Sequence, residues 1–248
     1  MSLRHSIAAA LLWPTRFLPI RILRDLTVGF AQAIAVRADS RATLSALLDA
    51  HSKIETMAAT TAVRYGGGVN PKHRIMAYHE FFTARVRPGE RVLDVGSGNG
   101  FLALSMAQAG ANVEGVEIVP ANVEIARARH AHPNIVYRVG DVTRDTLSPG
   151  FDTVAMSNVL EHLPDRAALL RRLTTQTGAK RFLIRIPCFD RDWLVPLRKE
   201  LGLDWRSDST HETEYTLAEF DSELAAAGLA RAETILRWGE IWAVAIAR

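Results

Sequence analysis

The chain of 248 residues has one cysteine, Cys188. No intrachain disulfide can form, and a reducing compartment suits that composition. A long uncharged apolar run is also missing. The most hydrophobic stretch, SIAAALLWPTRFLPIRILRDL, is interrupted by Arg16, Arg21, Arg24 and Asp25, whereas a spanning helix needs ~20 apolar residues. A secretory signal fits no better, because Pro14 and Arg16 cut the apolar run short. The sequence therefore reads as cytoplasmic and uncleaved. Excess charge is scarce: 30 Lys and Arg stand against 27 Asp and Glu, a net charge of +3. Nucleic-acid binders usually carry a broad basic face, so that balance argues little for such a role. What excess there is lies at one end, where residues 1–37 hold five arginines and the single acid Asp25.

Residues 20–36 place Leu23, Leu26 or Thr27, Phe30 and Ile34 on one stripe, the pattern of an amphipathic helix. A second helix follows an N-cap at Asp39 or Ser40, with Leu44, Leu47, Leu48, His51, Ile54 and Ala58 on one face. Three glycines, Gly66 to Gly68, break the chain. Asn70 and Pro71 then open a helix predicted to run on to the turn at Pro88.

From Arg91 short apolar runs alternate with helical segments. Strands are predicted at 91–95, 112–118, 134–139, 151–157 and 181–187, and helices at 100–109, 120–131, 164–177 and 216–227. Alternation of this kind gives parallel strands with helices on both faces. The last two strands meet at Gly239 as a hairpin and are antiparallel. The expected fold is α/β: a doubly wound, mostly parallel seven-stranded sheet with an antiparallel C-terminal hairpin. Residues 1–84 form a helical extension or lid, and 85–248 the catalytic domain.

The stretch VLDVGSGNG, Val92 to Gly100, ends a strand at Asp94 and starts a helix at Phe101. Such a junction lies where open α/β sheets bind ligands. Its G-x-G-x-G spacing departs from the dinucleotide fingerprint G-x-G-x-x-G. An acid two residues before the first glycine repels pyrophosphate and suits a cationic amine. Glu117, at the end of the next strand, can hold two ribose hydroxyls. Asp141, after the third strand, can accept from an amino group such as that of adenine. A nucleoside with an amino-acid tail would use all three acids.

VLDVGSGNG, VEGVEIV, VGDV and FDTVAMSNVLEHLPD, in this order and spacing, resemble the class I S-adenosylmethionine-dependent methyltransferases. The resemblance covers residues 73–248, with HETEYTLAEFDSELAAAGL resembling the segment on the acceptor side in small-molecule members. It extends to members encoded alongside bacterial surface-polysaccharide enzymes. It implies S-adenosylmethionine as cofactor, with Asp94, Gly96, Ser97, Gly98, Asn99 and Gly100 around the methionine part. Glu117 with Ile118 would hold the ribose, Asp141 with Val142 the adenine, and Ser157 with Asn158 the sulfonium side. Two rival readings stay open: an NAD-dependent oxidoreductase on a related fold, and a non-catalytic relative that acts through its N-terminal helices.

For the chemistry, NVLEHLPD offers Glu161 and His162 beside the cofactor, and STHETEYT offers His211, Glu212, Glu214 and Tyr215. His162 is the first candidate for a base or acceptor-orienting group, and His211 the second. His73 and His79 read as packing or helix-surface residues, or as part of a cap over the cofactor. Some quinone-synthesis members bind a metal through Glu-x-x-Glu-His. Asn158 stands at the first position of that pattern here, so one ligand is lost and no metal is expected. Cys188 in IPCF resembles the Pro-Cys of RNA cytosine methyltransferases, but a second cysteine is missing, as is the NPPY of amino-nitrogen methyltransferases. The acceptor is accordingly read as a small molecule, a saccharide or a lipid-linked saccharide. Trp193 and Trp205, among Asp190, Asp192, Asp204 and Asp208, would suit a sugar; Trp193, Glu161, Glu212 and Tyr215 are the substrate-side candidates. Residues 1–37 either pack as a helical lid or dimer contact, or rest on an anionic membrane. The sequence does not fix the oligomeric state.

Overall fold

The computed structural model describes residues 17–248. Contacts divide the chain into two compact units. One comprises residues up to Ala62 together with Glu200–Leu203, and the other comprises Val63–Lys199 with Asp204–Arg248.

The first unit is helical. Helix α1 spans Ile20–Ala35 and α2 spans Ser40–Tyr65. Asp39 is the cap of α2, its carboxylate accepting from the Ala42 N–H at 2.9 Å. No residue of α1 is buried, and Ile20 and the stripe residue Phe30 are among the most exposed large side chains. On α2 burial is confined to the first turns, around Leu48, while His51, Ile54 and Ala58 are exposed. Of the basic N-terminal stretch, residues 1–16 lie outside the described residues. Among the described residues no helix is long and apolar enough to cross a membrane.

The larger unit is built on one seven-stranded sheet in the order β3-β2-β1-β4-β5-β7-β6. Its strands are β1 Arg91–Val95, β2 Asn112–Glu117, β3 Ile135–Val139, β4 Thr153–Ser157, β5 Arg181–Pro187, β6 Leu229–Arg237 and β7 Glu240–Ala247. The first five pair in parallel, and β7 reverses between β5 and β6. Side chains alternate across the sheet, so Val92 enters one core with Phe82, Met106 and Trp242, while Leu93 enters the other with Met156, Leu170 and Phe220. Burial on both faces is why the central strands read as short apolar runs. The chain winds out from β1 to β3 and crosses back to β4, so a crevice opens between the carboxyl ends of β1 and β4.

The helix predicted from Pro71 breaks in two, α3 at Lys72–Met76 and α4 at Tyr78–Thr83. Between them Ala77 adopts a left-handed conformation, φ 50°. An alanine there is strained by about 1–2 kcal/mol. The break buries Tyr78, Phe81 and Phe82 while α3 stays largely exposed. The sheet helices follow as predicted: α5 Phe101–Gln108, α6 Pro120–Arg129, α7 Arg166–Thr177 and α9 Leu217–Ala226. Thr216 and Glu219 close a full capping box at the start of α9. The segment between β5 and α9 also contains α8, Leu194–Leu201, which the sequence pattern did not reveal.

Candidate active site

At the carboxyl end of β1 the Asp94 side chain is buried, and one of its oxygens has no partner. Burial, followed by the charge of Glu117, pushes its carboxyl up to about 8. The glycine turn begins two residues on. Gly96 and Gly100 are held by packing: an added Cβ would meet Val159 at 2.5 Å and the Tyr137 hydroxyl at 2.5 Å respectively. Gly98 is different. Its φ is +52° and nothing lies within 4 Å of where a Cβ would stand. The open space above it is where a ligand can touch the backbone.

Glu117 at the end of β2 accepts from the Gly98 N–H and from the Val119 N–H, each at 2.9 Å. It ties the glycine turn to the start of α6 and keeps lone pairs for a diol. Ser97 Oγ, Asn99 Oδ1 and Asn158 Oδ1 are buried without partners, like the Asp94 oxygen. Buried polar atoms are almost always bonded. Four unpartnered atoms, one at the end of β1 and three on the loops that follow β1 and β4, mark a polar ligand's place.

Two cavities flank this line. One of about 360 Å³ is walled by Asp94, Gly96, Ser97, Asn99 and Ser157, and on the far side by Asn70, His73, Tyr78 and Phe101. The other, about 550 Å³, is lined by Ile118, Asp141, Thr143, Leu163 and Arg172. Asp141 is held by the Thr143 N–H and hydroxyl, bonds that lower its pKa. Val142 turns its side chain into the core.

His73 and Tyr78 line the first cavity, a placement the sequence offered as one alternative for His73 and not for Tyr78. The Tyr78 hydroxyl lies 2.6 Å from His73 Nδ1. The Arg185 guanidinium covers the Tyr78 ring, bonds Ser157 Oγ at 3.2 Å and grips Glu240 through two nitrogens. The cap signal Asn70-Pro71 located this helix start but not which side chains turn inward. His79 instead bonds Ser105 at 2.8 Å, and burial lowers it to about 4.

Past β4 a 3-10 turn, Leu160–His162, carries the acceptor-side candidates. Its Glu161 carbonyl accepts from the Glu212 and Thr213 N–H groups, which stitches the loop before α9 onto the turn. This brings the His162 and His211 rings to 4.6 Å, edge to face. The Glu161 carboxylate is fully buried, both its oxygens lack partners, and burial pushes it up to about 7. His211 Nδ1 bonds Glu214 at 2.9 Å. Glu214 also accepts from Ser207 and Arg191.

Three substrate-side expectations need correction. Tyr215 is buried: it bridges Cys188 and donates its hydroxyl to Glu223, so it serves packing. Glu212 is exposed, and the inward acid of that loop is Glu214. Trp193 is exposed, whereas Trp205 packs edge to face on Phe189 with Lys199 over both rings.

A sheet with a reversed seventh strand, a glycine turn after β1 and acids at three successive strand ends define a class I S-adenosylmethionine-dependent methyltransferase. Comparison with known proteins agrees. The family described as Methyltransferase domain matches residues 70–233, and the chain belongs to it. It is 37% identical over 112 residues to the ubiquinone biosynthesis O-methyltransferase of Xanthomonas axonopodis pv. citri, 42% of this chain and 46% of that protein. It is 31% identical over 166 residues to the enzyme of the same name from Azorhizobium caulinodans, 62% of this chain and 64% of that one. The chain thus spans about half the length of the curated relatives it matches. Among solved structures, magnesium protoporphyrin IX methyltransferase of Synechocystis PCC 6803 with bound SAH has a TM-score of 0.52 at 20% identity, covering 93% of this chain and all of that one. A TehB-like methyltransferase of Corynebacterium glutamicum has a TM-score of 0.54 at 17% identity, covering 81% of this chain and 100% of its own.

Proposed function

We propose that the protein transfers a methyl group to a hydroxyl oxygen of a small-molecule acceptor. The observation that carries this reading is the row of unpartnered buried atoms on Asp94, Ser97, Asn99 and Asn158, set around a glycine turn with open space above it. S-adenosylmethionine supplies an activated methyl group on sulfur. Asp94 faces its ammonium, Glu117 the ribose diol and Asp141 the adenine amino group. Ser157 and Tyr78, both fixed by Arg185, form the wall beside the sulfur. Transfer is an in-line displacement, so most of the protein's contribution is positioning. The hydroxyl acceptor must also lose a proton. Glu161, His162 and His211 supply the polar wall on that side, with His162 as the acceptor-orienting group.

The hydroxyl class follows from two supports. Relatives at 31–37% identity are named ubiquinone biosynthesis O-methyltransferases, and two imidazoles with a carboxylate suit proton removal from oxygen. A phenol and a sugar hydroxyl are the two acceptor types to compare. Trp205 packs into its own loop and Trp193 is exposed, so neither ring supports the sugar over the phenol. Residues 1–84 act as an extension to the domain, and the apolar stripe of α1 makes peripheral contact with a membrane.

A methyl-transfer screen over quinone phenols, nucleotide sugars, glycans and lipid precursors, read by mass, tests the reading. A gain of 14 Da on a hydroxyl compound supports it. Absence of S-adenosylmethionine binding by calorimetry, with NADH bound instead, would favour the oxidoreductase. Cofactor binding without any transfer would favour the non-catalytic relative.

A further inference from the structure

We propose that Glu161, His162 and His211 form a binding site for one divalent transition-metal ion. The hydrogen bonds around the two histidines decide their tautomers. Thr210 has one hydroxyl proton and donates it to Asp208 at 2.7 Å. Its oxygen can therefore only accept from His162 Nδ1, 3.0 Å away. His162 thus carries its proton on Nδ1 and offers the Nε2 lone pair. The same logic holds for His211, whose Nδ1 donates to the Glu214 carboxylate at 2.9 Å. Its Nε2 faces Glu161 at 4.0 Å, too far for a hydrogen bond.

With Glu161 ionised, three acceptors converge with no donor among them: two imidazole lone pairs and a fully buried carboxylate with both oxygens unpartnered. Leaving a buried carboxylate in that state is costly. A cation satisfies all three at once. One ligand atom from each residue lies within 4.8 Å of the others. Ligand atoms at about 2.0–2.2 Å from an ion stand somewhat closer together than this, so binding draws the side chains in by roughly 1 Å. The support around them is that of a metal site, since each imidazole is oriented through its other nitrogen by a hydroxyl or a carboxylate. Glu214 is fixed in turn by Arg191 and Ser207.

Two nitrogen donors and one carboxylate select zinc, manganese or iron over magnesium and calcium, which prefer all-oxygen shells. Three protein ligands leave positions open, as catalytic sites do. Counting ligands within the motif at Asn158–His162 finds only two, because the third comes from the loop before α9. Ion binding itself is independent of the methyl-transfer reading. Its role, favouring loss of the acceptor's proton, rests on that reading.

The test uses the full chain, stripped with EDTA and then titrated with Zn²⁺ by calorimetry, with bound metal counted by mass spectrometry and Co²⁺ as a spectroscopic probe. The expected result is one Zn²⁺ per chain, a Zn²⁺-dependent rise in Tm, and visible Co²⁺ bands. Mg²⁺ should give no heat. Glu161→Gln, which keeps the shape and removes an unpaired buried charge, should fold and lose at least about tenfold in affinity, as should His162→Ala. No stoichiometric ion, or one whose affinity both variants leave unchanged, overturns the proposal. S-adenosylmethionine titrated into the stripped protein separates the two readings. Cofactor binding without metal binding sinks only the ion site, and the reverse sinks only methyl transfer.

Discussion

The Arg185 guanidinium lies 3.9 Å from the centre of the Tyr78 ring and ties that ring to β4 and β7 at once. Both Arg185 and its partner Glu240 are nearly buried. Arg185→Ala leaves the Glu240 carboxylate without its main partner, and breaking a buried pair from one side costs about 3–5 kcal/mol. The expected outcome in urea denaturation is a loss of that order. Tyr78→Phe should leave stability almost unchanged and weaken cofactor binding by a few fold, because only the bond to His73 is lost. A Tyr78→Phe protein that melts like Arg185→Ala would contradict this division of labour.

Asp94→Asn and Glu117→Gln should each weaken S-adenosylmethionine binding by about 10–100-fold, the worth of a charge-assisted hydrogen bond. Glu117 additionally holds the Gly98 and Val119 N–H groups, so Glu117→Ala should also loosen the glycine turn. Calorimetry that finds unchanged affinity in both variants would remove the cofactor assignment.

Cofactor affinity should depend on pH through Asp94. Its carboxyl sits at about 8 in the free protein, far above the ordinary 3.8. Below that pH the group is protonated, while a cationic ligand favours the carboxylate. Binding near neutrality therefore releases a proton, and affinity rises with pH until about 8, then levels. Calorimetry in buffers of different ionisation enthalpy measures the proton directly. The same raised carboxyl stabilises the cofactor-free fold at low pH, a contribution lost as pH rises through about 8. Asp94→Asn should flatten both profiles.

Gly100→Ala should destabilise the protein by about 1–3 kcal/mol. The new methyl group would stand 2.5 Å from the Tyr137 hydroxyl at a φ of +85°. Gly98→Ala meets no neighbour, so its cost is conformational and its larger effect should fall on cofactor affinity. Melting curves and titrations of the two variants separate packing from ligand approach.

The full chain should float with anionic liposomes at low salt and lose them at high salt. Helix α1 has no buried residue, and its apolar stripe carries Leu26 and Phe30 in the open. Arg21 lies off that stripe, where it can meet lipid headgroups. Arg24 is paired with Asp25 at 2.6 Å, which leaves the attraction weak and salt-sensitive. Flotation that persists on deleting residues 1–37 would place the contact elsewhere, and no flotation at either salt would favour a lid.

The sheet was legible because its central strands are buried on both faces and its helices begin and end on ordinary signals, such as Pro120 and the Thr216–Glu219 box. The placement of the glycine turn and the three acids was legible for a related reason: each follows directly from a strand end. The acceptor side follows no period. Ala77 takes a left-handed conformation without glycine, so nothing marks the break that turns Tyr78 inward. Along His211–Tyr215 burial does not alternate, which is why Glu212 and Tyr215 stood out in the sequence and Glu214 did not. The pairing of Glu161 with His211 depends on two backbone bonds between distant loops, which no local pattern encodes.

Those two bonds, together with the run of contacts from Arg191 through Glu214 to His211, set the unit in which acceptor preference can be inherited. The strand-end acids, the glycine turn, Glu161 and His162 belong to one stretch of chain, His211 and its orienting partners to another. A graft of residues 188–216 between relatives would carry its own orienting partners and leave the cofactor frame untouched. A graft of the His211 loop alone would arrive without Arg191, and Glu214 would lose the cation that balances it. On the proposed function, acceptor preference is expected to move with the whole segment and not with the His211 loop alone.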